Sequence, residues 1–135
     1  MKGMSVLLFI FTSLLMPLHT FAADEALSID RSINPDLHIS FPNDDNIEPT
    51  SSDFIIENYV LMSNETGERW AVLTLKNEAA GNRIFTQDYV LALFADGQRK
   101  KPLKHNQRFK SKEIKSILLS FGESKFPILE IYKKP

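Results

Sequence analysis

A series of short apolar runs, each ended by turn-forming residues, constrains the fold of this chain more than any other feature. Phe54–Met62 is rich in β-branched and aromatic residues, and Arg69–Lys76 alternates apolar side chains between two faces, which is typical of strands. Asp96 and Gly97 form a turn signal, because glycine accepts the positive φ of a tight hairpin. The pattern predicts strands at 54–62, 69–76, 84–85, 89–95, 98–103, 114–121 and 128–132. The pattern predicts an all-β domain over residues 54–135, an antiparallel sandwich or barrel of about seven strands.

The N-terminus has the layout of a signal peptide. Lys2 is followed by an apolar run of 13 residues, Val6–Leu18, which suits an h-region and is shorter than the roughly 20 residues of a membrane-spanning helix. Thr20 and Ala22 then form a small-x-small cleavage site. We therefore expect residues 1–22 to be removed by cleavage after Ala22, with an uncleaved membrane anchor as the alternative.

The chain after the expected cleavage site has neither cysteine nor a long apolar run. The sequence contains no cysteine, so neither a lipoprotein anchor nor a disulfide framework is expected. Small secreted domains of eukaryotes usually depend on disulfides, which favours a bacterial periplasm as the compartment. No later apolar run approaches the length of a membrane helix, so the mature chain is expected to have no transmembrane segment.

The near-neutral net charge of −1 conceals two oppositely charged segments. Residues 24–53 contain eight acids and one base, and we interpret residues 23–53 as an acidic, extended or partly disordered lead-in. Leu37, Ile39 and Phe41 alternate with polar residues there and could form one strand.

The basic segment, residues 99–115, has eight bases and one acid, Glu113. If its cations share a face, that face attracts an acidic protein or an anionic envelope component in a salt-sensitive manner. The candidate patch consists of Arg99, Lys100, Lys101, Lys104, Arg108, Lys110, Lys112 and Lys115. A solvated face that prevents edge pairing is one alternative, and shielding by the acidic lead-in is another. Nucleic acid is not expected, because Phe109 is the only aromatic residue in the segment.

The sequence contains no recognisable constellation of catalytic or metal-binding residues. His38 and His105 are the only histidines after residue 22, and neither has the spacing of a zinc motif. No nucleophile elbow or phosphate-binding glycine loop occurs, and Asp44 and Asp45 lie in a polar stretch that would not raise a carboxyl pKa. We therefore expect no catalytic residues, no metal site and no cofactor, and we do not expect an enzyme.

Five aromatic residues allow two interpretations. They could line a sugar-stacking groove, but in a small domain they more often supply core area. The residues are Trp70, Phe94, Phe121, Phe126 and Tyr132.

The stretch from Trp70 to Tyr132 resembles the immunoglobulin-like (telokin-like) domains of exported bacterial proteins. The matching segments are Ala71–Asn77, Leu93–Gly97 with Pro102 after it, Ile117–Phe121 and Leu129–Tyr132. Lys112 and Glu113 depart from the resemblance, since that family often has Pro-Gly or Ala-Gly before the late strand. The resemblance implies an immunoglobulin-like sandwich that acts in binding or assembly, and it brings no catalytic residues.

Together these features predict an exported, periplasmic binding or assembly-accessory protein. It would engage another macromolecule through a strand edge or through the basic segment. The alternative is an inhibitor or immunity-type protein that blocks an enzyme. The oligomeric state is open.

Overall fold

The computed structural model describes residues 26–33 and 47–135. The expected signal peptide, the possible strand at Leu37, Ile39 and Phe41, and His38 lie outside the described residues, as does much of the acidic lead-in.

The described chain is all-β, with nine strands and one 3-10 turn between the fourth and fifth. The strands are β1 (Ser28–Ile33), β2 (Phe54–Ser63), β3 (Glu68–Asn77), β4 (Arg83–Thr86), β5 (Leu91–Phe94), β6 (Arg99–Lys100), β7 (Asn106–Phe109), β8 (Ile114–Glu123) and β9 (Ile128–Tyr132). The 3-10 turn is Gln87–Tyr89. The expected all-β class is confirmed.

The strands form three antiparallel sheets around one core. The four-stranded sheet has the order β1-β2-β3-β8, the three-stranded sheet β6-β5-β9, and the two-stranded sheet β4-β7. Residues from all three sheets belong to a single buried cluster, so the arrangement is sandwich-like, with the two smaller sheets opposite the larger one.

Side-chain alternation in β3 explains which face of the large sheet is buried. Ala71, Leu73 and Leu75 are fully buried, whereas Trp70 and Val72 on the other face are half-buried. This is the alternation that the sequence predicts, because successive side chains in a strand point to opposite faces.

Aromatic rings fill one end of the core. Phe54 contacts Phe85 and Phe109 with ring centroids 5.4 and 5.0 Å apart, both edge to face, a favourable arrangement of ring quadrupoles. Of the five aromatics with two interpretations, Phe94 and Phe121 are buried, as expected of core residues. The other three are not: Trp70 and Tyr132 are half-buried and Phe126 is exposed.

Two side chains of the large sheet form hydrogen bonds to β9 of the three-stranded sheet. The Tyr59 hydroxyl, in the core, accepts a hydrogen bond from the Ile131 N–H at 3.1 Å. Arg31 on β1 donates to the carbonyls of Ile128 and Leu129 at 3.0 and 2.9 Å. The backbone groups at this side of the sandwich are therefore satisfied across the two sheets.

The turn predicted at Asp96 and Gly97 is present in the structure. Gly97 has a φ of 84°, which glycine adopts without steric cost. The Phe94 N–H donates to the Gln98 carbonyl at 2.8 Å and closes the hairpin between β5 and β6. Only Arg99 and Lys100 then continue as a strand, which is shorter than the predicted 98–103.

In the two described ranges, no helix has the length and apolar composition needed to cross a membrane.

Candidate binding edge and basic segment

Strand β8 is an edge of the four-stranded sheet and, with ten residues, is among the longest strands described. It pairs on one side with β3, in a register that places Leu73 opposite Ile117 and Thr74 opposite Ser116. Its other side has no neighbouring strand in the described sheets. Such an edge is a template for pairing with another chain.

Two backbone hydrogen bonds establish which residues of β8 face outward. The Asn77 N–H donates to the Glu113 carbonyl at 2.9 Å, so this pair and every second pair after it exchange hydrogen bonds between β3 and β8. From the other side, the Leu103 N–H donates to the Ser120 carbonyl at 2.7 Å. Ile114, Ser116, Leu118 and Ser120 therefore direct their N–H and C=O groups away from the sheet.

Between these two bonds lies a short stretch of available edge, formed by Ile114, Ser116 and Leu118. We call these three residues, with the intervening Lys115 and Ile117, the β8 edge. The side chains of Ile114 and Leu118 are 58% and 44% exposed. Available backbone groups and exposed aliphatic side chains thus occur together.

The side chains of the β8 edge continue rows that cross the outer face of the large sheet. Val60, Val72 and Leu118 lie directly opposite one another on β2, β3 and β8. The next row is polar, and in it the hydroxyls of Thr74 and Ser116 are 2.8 Å apart. A strand that paired with β8 would extend both rows.

The turn before β8 is held by Glu113. The Lys110 N–H donates to Glu113 Oε2 at 2.6 Å, and the Glu113 N–H donates to the Lys110 carbonyl at 3.2 Å. The first of these bonds lowers the pKa of Glu113, with the Lys115 ammonium contributing. Lys112 in this turn has a φ of 59°, a left-handed conformation that favours glycine.

The basic segment does not lie on one strand. Arg99 and Lys100 belong to β6 of the three-stranded sheet, Arg108 to β7 of the two-stranded sheet and Lys115 to β8 of the four-stranded sheet. The remaining cations occupy the connections between these strands. The eight cations of the candidate patch are therefore distributed over three sheets.

Oxygen partners are present in the described structure for Lys101, Lys112 and Lys115. Lys101 Nζ lies 2.8 Å from Asp88 Oδ1, and Lys115 Nζ lies 3.4 Å from Glu113 Oε1. Lys112 donates to the Glu78 carbonyl. Each of these ammonium groups therefore already has an oxygen partner within the domain.

Two further cations lie against aromatic residues. Lys100 Nζ is 4.9 Å from the centroid of the Phe94 ring, within the range of a cation–π contact. Burial raises the pKa of Tyr132, and the charge and hydrogen bond of Arg99 partly offset that rise. Both cations thus contribute to the packing of the three-stranded sheet.

The other three cations, Lys104, Arg108 and Lys110, are exposed. Their side chains form no ion pair within residues 26–33 and 47–135. These three are therefore the exposed cations of the candidate patch whose side chains have no oxygen partner within the described ranges.

His105 is the only histidine in the described ranges. Its Nε2 atom is buried and has no hydrogen-bond partner there, and its ring centroid lies 6.3 Å from that of Phe85. Burial lowers the pKa of His105, which favours the neutral imidazole. No group of three or more potential metal ligands occurs among the described residues.

Sequence reasoning did not identify the β8 edge as a specific site. It predicted a strand at 114–121, but edge position depends on which strands pair, and no local pattern records that. The signal that could have pointed to it is the exposed pair Ile114 and Leu118, which share a face of the strand with Ser116 and Ser120.

No protein-family model, no curated protein and no solved structure matches this chain.

Proposed function

We propose that this is an exported binding or assembly-accessory protein with an immunoglobulin-like sandwich, and that it engages an extended segment of another protein at the β8 edge. The observation that carries the proposal is the outward direction of the backbone groups of Ile114, Ser116 and Leu118 on an edge strand. An incoming strand gains main-chain hydrogen bonds at such an edge, and side-chain contacts give it specificity.

Of the features that commonly discourage strand pairing, the β8 edge contains one, the charged residue Lys115. Proteins commonly protect long edges with proline, bulges or several charged residues. From Ile114 to Phe121 there is no proline, and Lys115 is the only charged residue. Because Lys115 Nζ also donates to the Arg108 carbonyl at 2.8 Å, its charge is held beside β7.

The exposed cations of the basic segment have a secondary role in this proposal. Lys104 follows Leu103, whose N–H is bonded to β8, and Lys110 belongs to the turn that precedes β8. They would attract an acidic partner over a distance comparable with the Debye length and raise the association rate at low salt.

A pull-down with edge variants tests the proposal. The tagged protein, expressed from its full reading frame, is crosslinked and recovered from its own periplasm at low and high salt. Ser116→Pro removes an outward N–H without breaking the bonds to β3, because proline is tolerated where the N–H faces solvent. Thr74→Ala is the control, since it removes the same Thr74–Ser116 contact and leaves the edge intact.

We expect a partner that Thr74→Ala retains and Ser116→Pro loses. If Ser116→Pro does not fold, as judged by its thermal melt, the double substitution Ile114→Lys and Leu118→Lys replaces it, with Ile84→Lys on β4 as the matched exposed control. Equal recovery by edge and control variants would contradict the proposal. Stoichiometric recovery of one folded enzyme by every edge variant would instead indicate the inhibitor-type alternative.

A further inference from the structure

The β8 edge also specifies the chemistry of the segment that it can bind. Resting on the proposed edge binding, we infer that the partner segment is a short extended peptide with two apolar residues four positions apart, a small hydroxyl residue midway between them, and carboxylates at its ends.

The apolar positions follow from the rows on the outer face. A peptide residue opposite Leu118 extends the row of Val60, Val72 and Leu118, and a residue opposite Ile114 meets a side chain that is 58% exposed. Cβ atoms of directly opposed residues lie about 5 Å apart. Both positions therefore favour an aliphatic side chain, because it removes apolar surface of the peptide and of β8 from water.

The middle position follows from the polar row between them. The hydroxyls of Thr74 and Ser116 are 2.8 Å apart, and a peptide residue opposite Ser116 would be the next member of that row. Serine or threonine can extend the hydroxyl contacts there, a recurrent cross-strand pairing. A large apolar residue would instead remove the hydroxyls of Thr74 and Ser116 from water without adding a hydrogen bond to them.

Both ends of the available edge are closed, which limits the length of the peptide. Leu103 occupies the outward carbonyl of Ser120, and the Lys110–Glu113 turn precedes Ile114. A paired peptide therefore has about five residues in register with Ile114–Leu118. Residues beyond those five reach the closures at either end.

The closures carry positive charge. Lys104 adjoins Leu103 at one end, and Lys110 and Lys112 lie in the turn at the other end. Glu113, the only acid of the basic segment, already accepts the Lys110 N–H. Carboxylates at the peptide ends complement both closures, and this charge complementarity is what selects the partner.

The same charges argue against a second copy of this chain as the occupant. Antiparallel pairing of two β8 edges about Ser116 would place Ile114 opposite Leu118 of the other copy, which is favourable. It would also bring the Lys110–Lys112 end of one copy to the Lys104 end of the other. Like charges at both ends oppose that pairing.

Titration with a designed peptide tests the inference. The peptide Asp-Asp-Val-Gln-Thr-Gln-Val-Asp-Asp is added, to about 1 mM, to the isotope-labelled protein expressed from its full reading frame. Binding is followed by the amide NMR shifts of Ile114, Ser116 and Leu118. Three comparison peptides have Asn at the four end positions, Lys at those positions, or the rearranged centre Val-Val-Thr-Gln-Gln with unchanged ends.

We expect the designed peptide to shift these amides and to bind at least fivefold more tightly than the Asn-ended and rearranged peptides at low salt. The Lys-ended peptide should not bind. Replacing Lys104 and Lys110 by Gln should remove the advantage of Asp over Asn ends and leave the preference for the designed centre. Ser116→Pro should abolish the binding that Thr74→Ala retains.

Equal binding of the Asp-, Asn- and Lys-ended peptides, or of the rearranged peptide, would overturn the inferred chemistry. So would the absence of binding by any peptide, or self-association that depends on the β8 edge. None of these results overturns the edge function itself, because an edge-dependent partner in the pull-down would still support that function.

Discussion

Asn77 is a polar residue at the end of β3, next to the turn that precedes the β8 edge. It is fully buried, and its Nδ2 donates to the carbonyls of Gly81 and Lys110, each at 2.9 Å. Its Oδ1 accepts the Ala79 N–H at 3.0 Å. One side chain thus fixes both the loop after β3 and the turn before β8, which accounts for a buried asparagine at the end of β3.

Replacing Asn77 by alanine should lower the free energy of unfolding by about 2 kcal/mol or more, because two carbonyls lose their donor in a buried site. Urea denaturation measures the change. Asn82→Ala, at an exposed position in the same loop, is the control and should change stability by less than about 0.5 kcal/mol. Similar losses in the two variants would show that the buried contacts of Asn77 contribute little.

Lys112 has a backbone conformation that costs free energy for any residue with a Cβ. Its φ is 59°, and its ammonium donates to the Glu78 carbonyl. Lys112→Gly and Lys112→Ala both remove that hydrogen bond, so the difference between them reports the backbone alone. We expect the glycine variant to be more stable than the alanine variant by about 1 kcal/mol in urea denaturation. Equal stability would mean that the turn relaxes in the alanine variant.

At the scale of elements, Tyr59 links the two faces of the sandwich. Burial raises the pKa of Tyr59, and the hydrogen bond from the Ile131 N–H partly offsets the rise. The hydroxyl is the acceptor that the Ile131 N–H finds across the core, because Ile131 lies on β9 at the edge of its sheet. The contact therefore gives a backbone N–H of the edge strand β9 a hydrogen-bond acceptor inside the protein.

Tyr59→Phe should destabilise the protein by about 1–2 kcal/mol, since it leaves the buried Ile131 N–H without its acceptor. Tyr132→Phe is the comparison, because the Tyr132 hydroxyl donates to the exposed Ile47 carbonyl at 3.0 Å and is hydrogen-bonded to Arg99, and water can replace both bonds. Thermal melts of the two variants should differ in this order. The reverse order would be inconsistent with a structural role for the bond between the sheets.

The sequence predicted the apolar strands and their faces, because each carries its own periodic signal. β2, β3, β8 and β9 follow from runs of β-branched and aromatic residues, and the buried face of β3 follows from alternation. β1 and β7 were not predicted. Their sequences, Ser28–Ile33 and Asn106–Phe109, are largely polar, and their pairing with β2 and β4 supplies the order that local propensity does not.

The candidate site was less predictable than the strands for the same reason. The sequence groups eight cations in residues 99–115, but the chain passes through all three sheets over that interval. Proximity in sequence therefore did not place these cations on one strand or in one sheet. Conversely, Leu103 and Ser120 meet only through folding, and their bond sets one end of the β8 edge. Pairing between residues that are far apart in sequence therefore determines both the distribution of the cations and the extent of the β8 edge.

At the scale of the whole molecule, the acidic and basic segments each form surface ion pairs with other parts of the described structure. Arg83 Nε lies 2.8 Å from Asp53 Oδ2, and Lys101 Nζ lies 2.8 Å from Asp88 Oδ1. The four side chains are about half exposed, so each pair is worth less than about 1 kcal/mol and is screened by salt. Salt should therefore affect binding at the basic segment more than it affects folding.

The pH dependence of stability tests the environment of His105 within the whole fold. Burial lowers the pKa of His105, whereas in the unfolded chain that pKa is near its ordinary value of about 6.5. Near and below pH 6.5 the unfolded chain therefore binds a proton that the folded protein does not. The contribution of neutral His105 is present in full above that range and is lost as the pH falls toward the folded pKa.

His105→Leu should remove this dependence, because leucine does not titrate and adds no buried polar atom. Urea denaturation of both proteins between pH 5 and pH 8 gives the two slopes, and all other titrating groups are common to both. The wild type should lose stability more steeply below about pH 6.5, and an NMR titration of its imidazole should give a midpoint below that value. Parallel slopes, or a midpoint above 6.5, would mean that water reaches the His105 ring beside Phe85 and solvates the imidazolium.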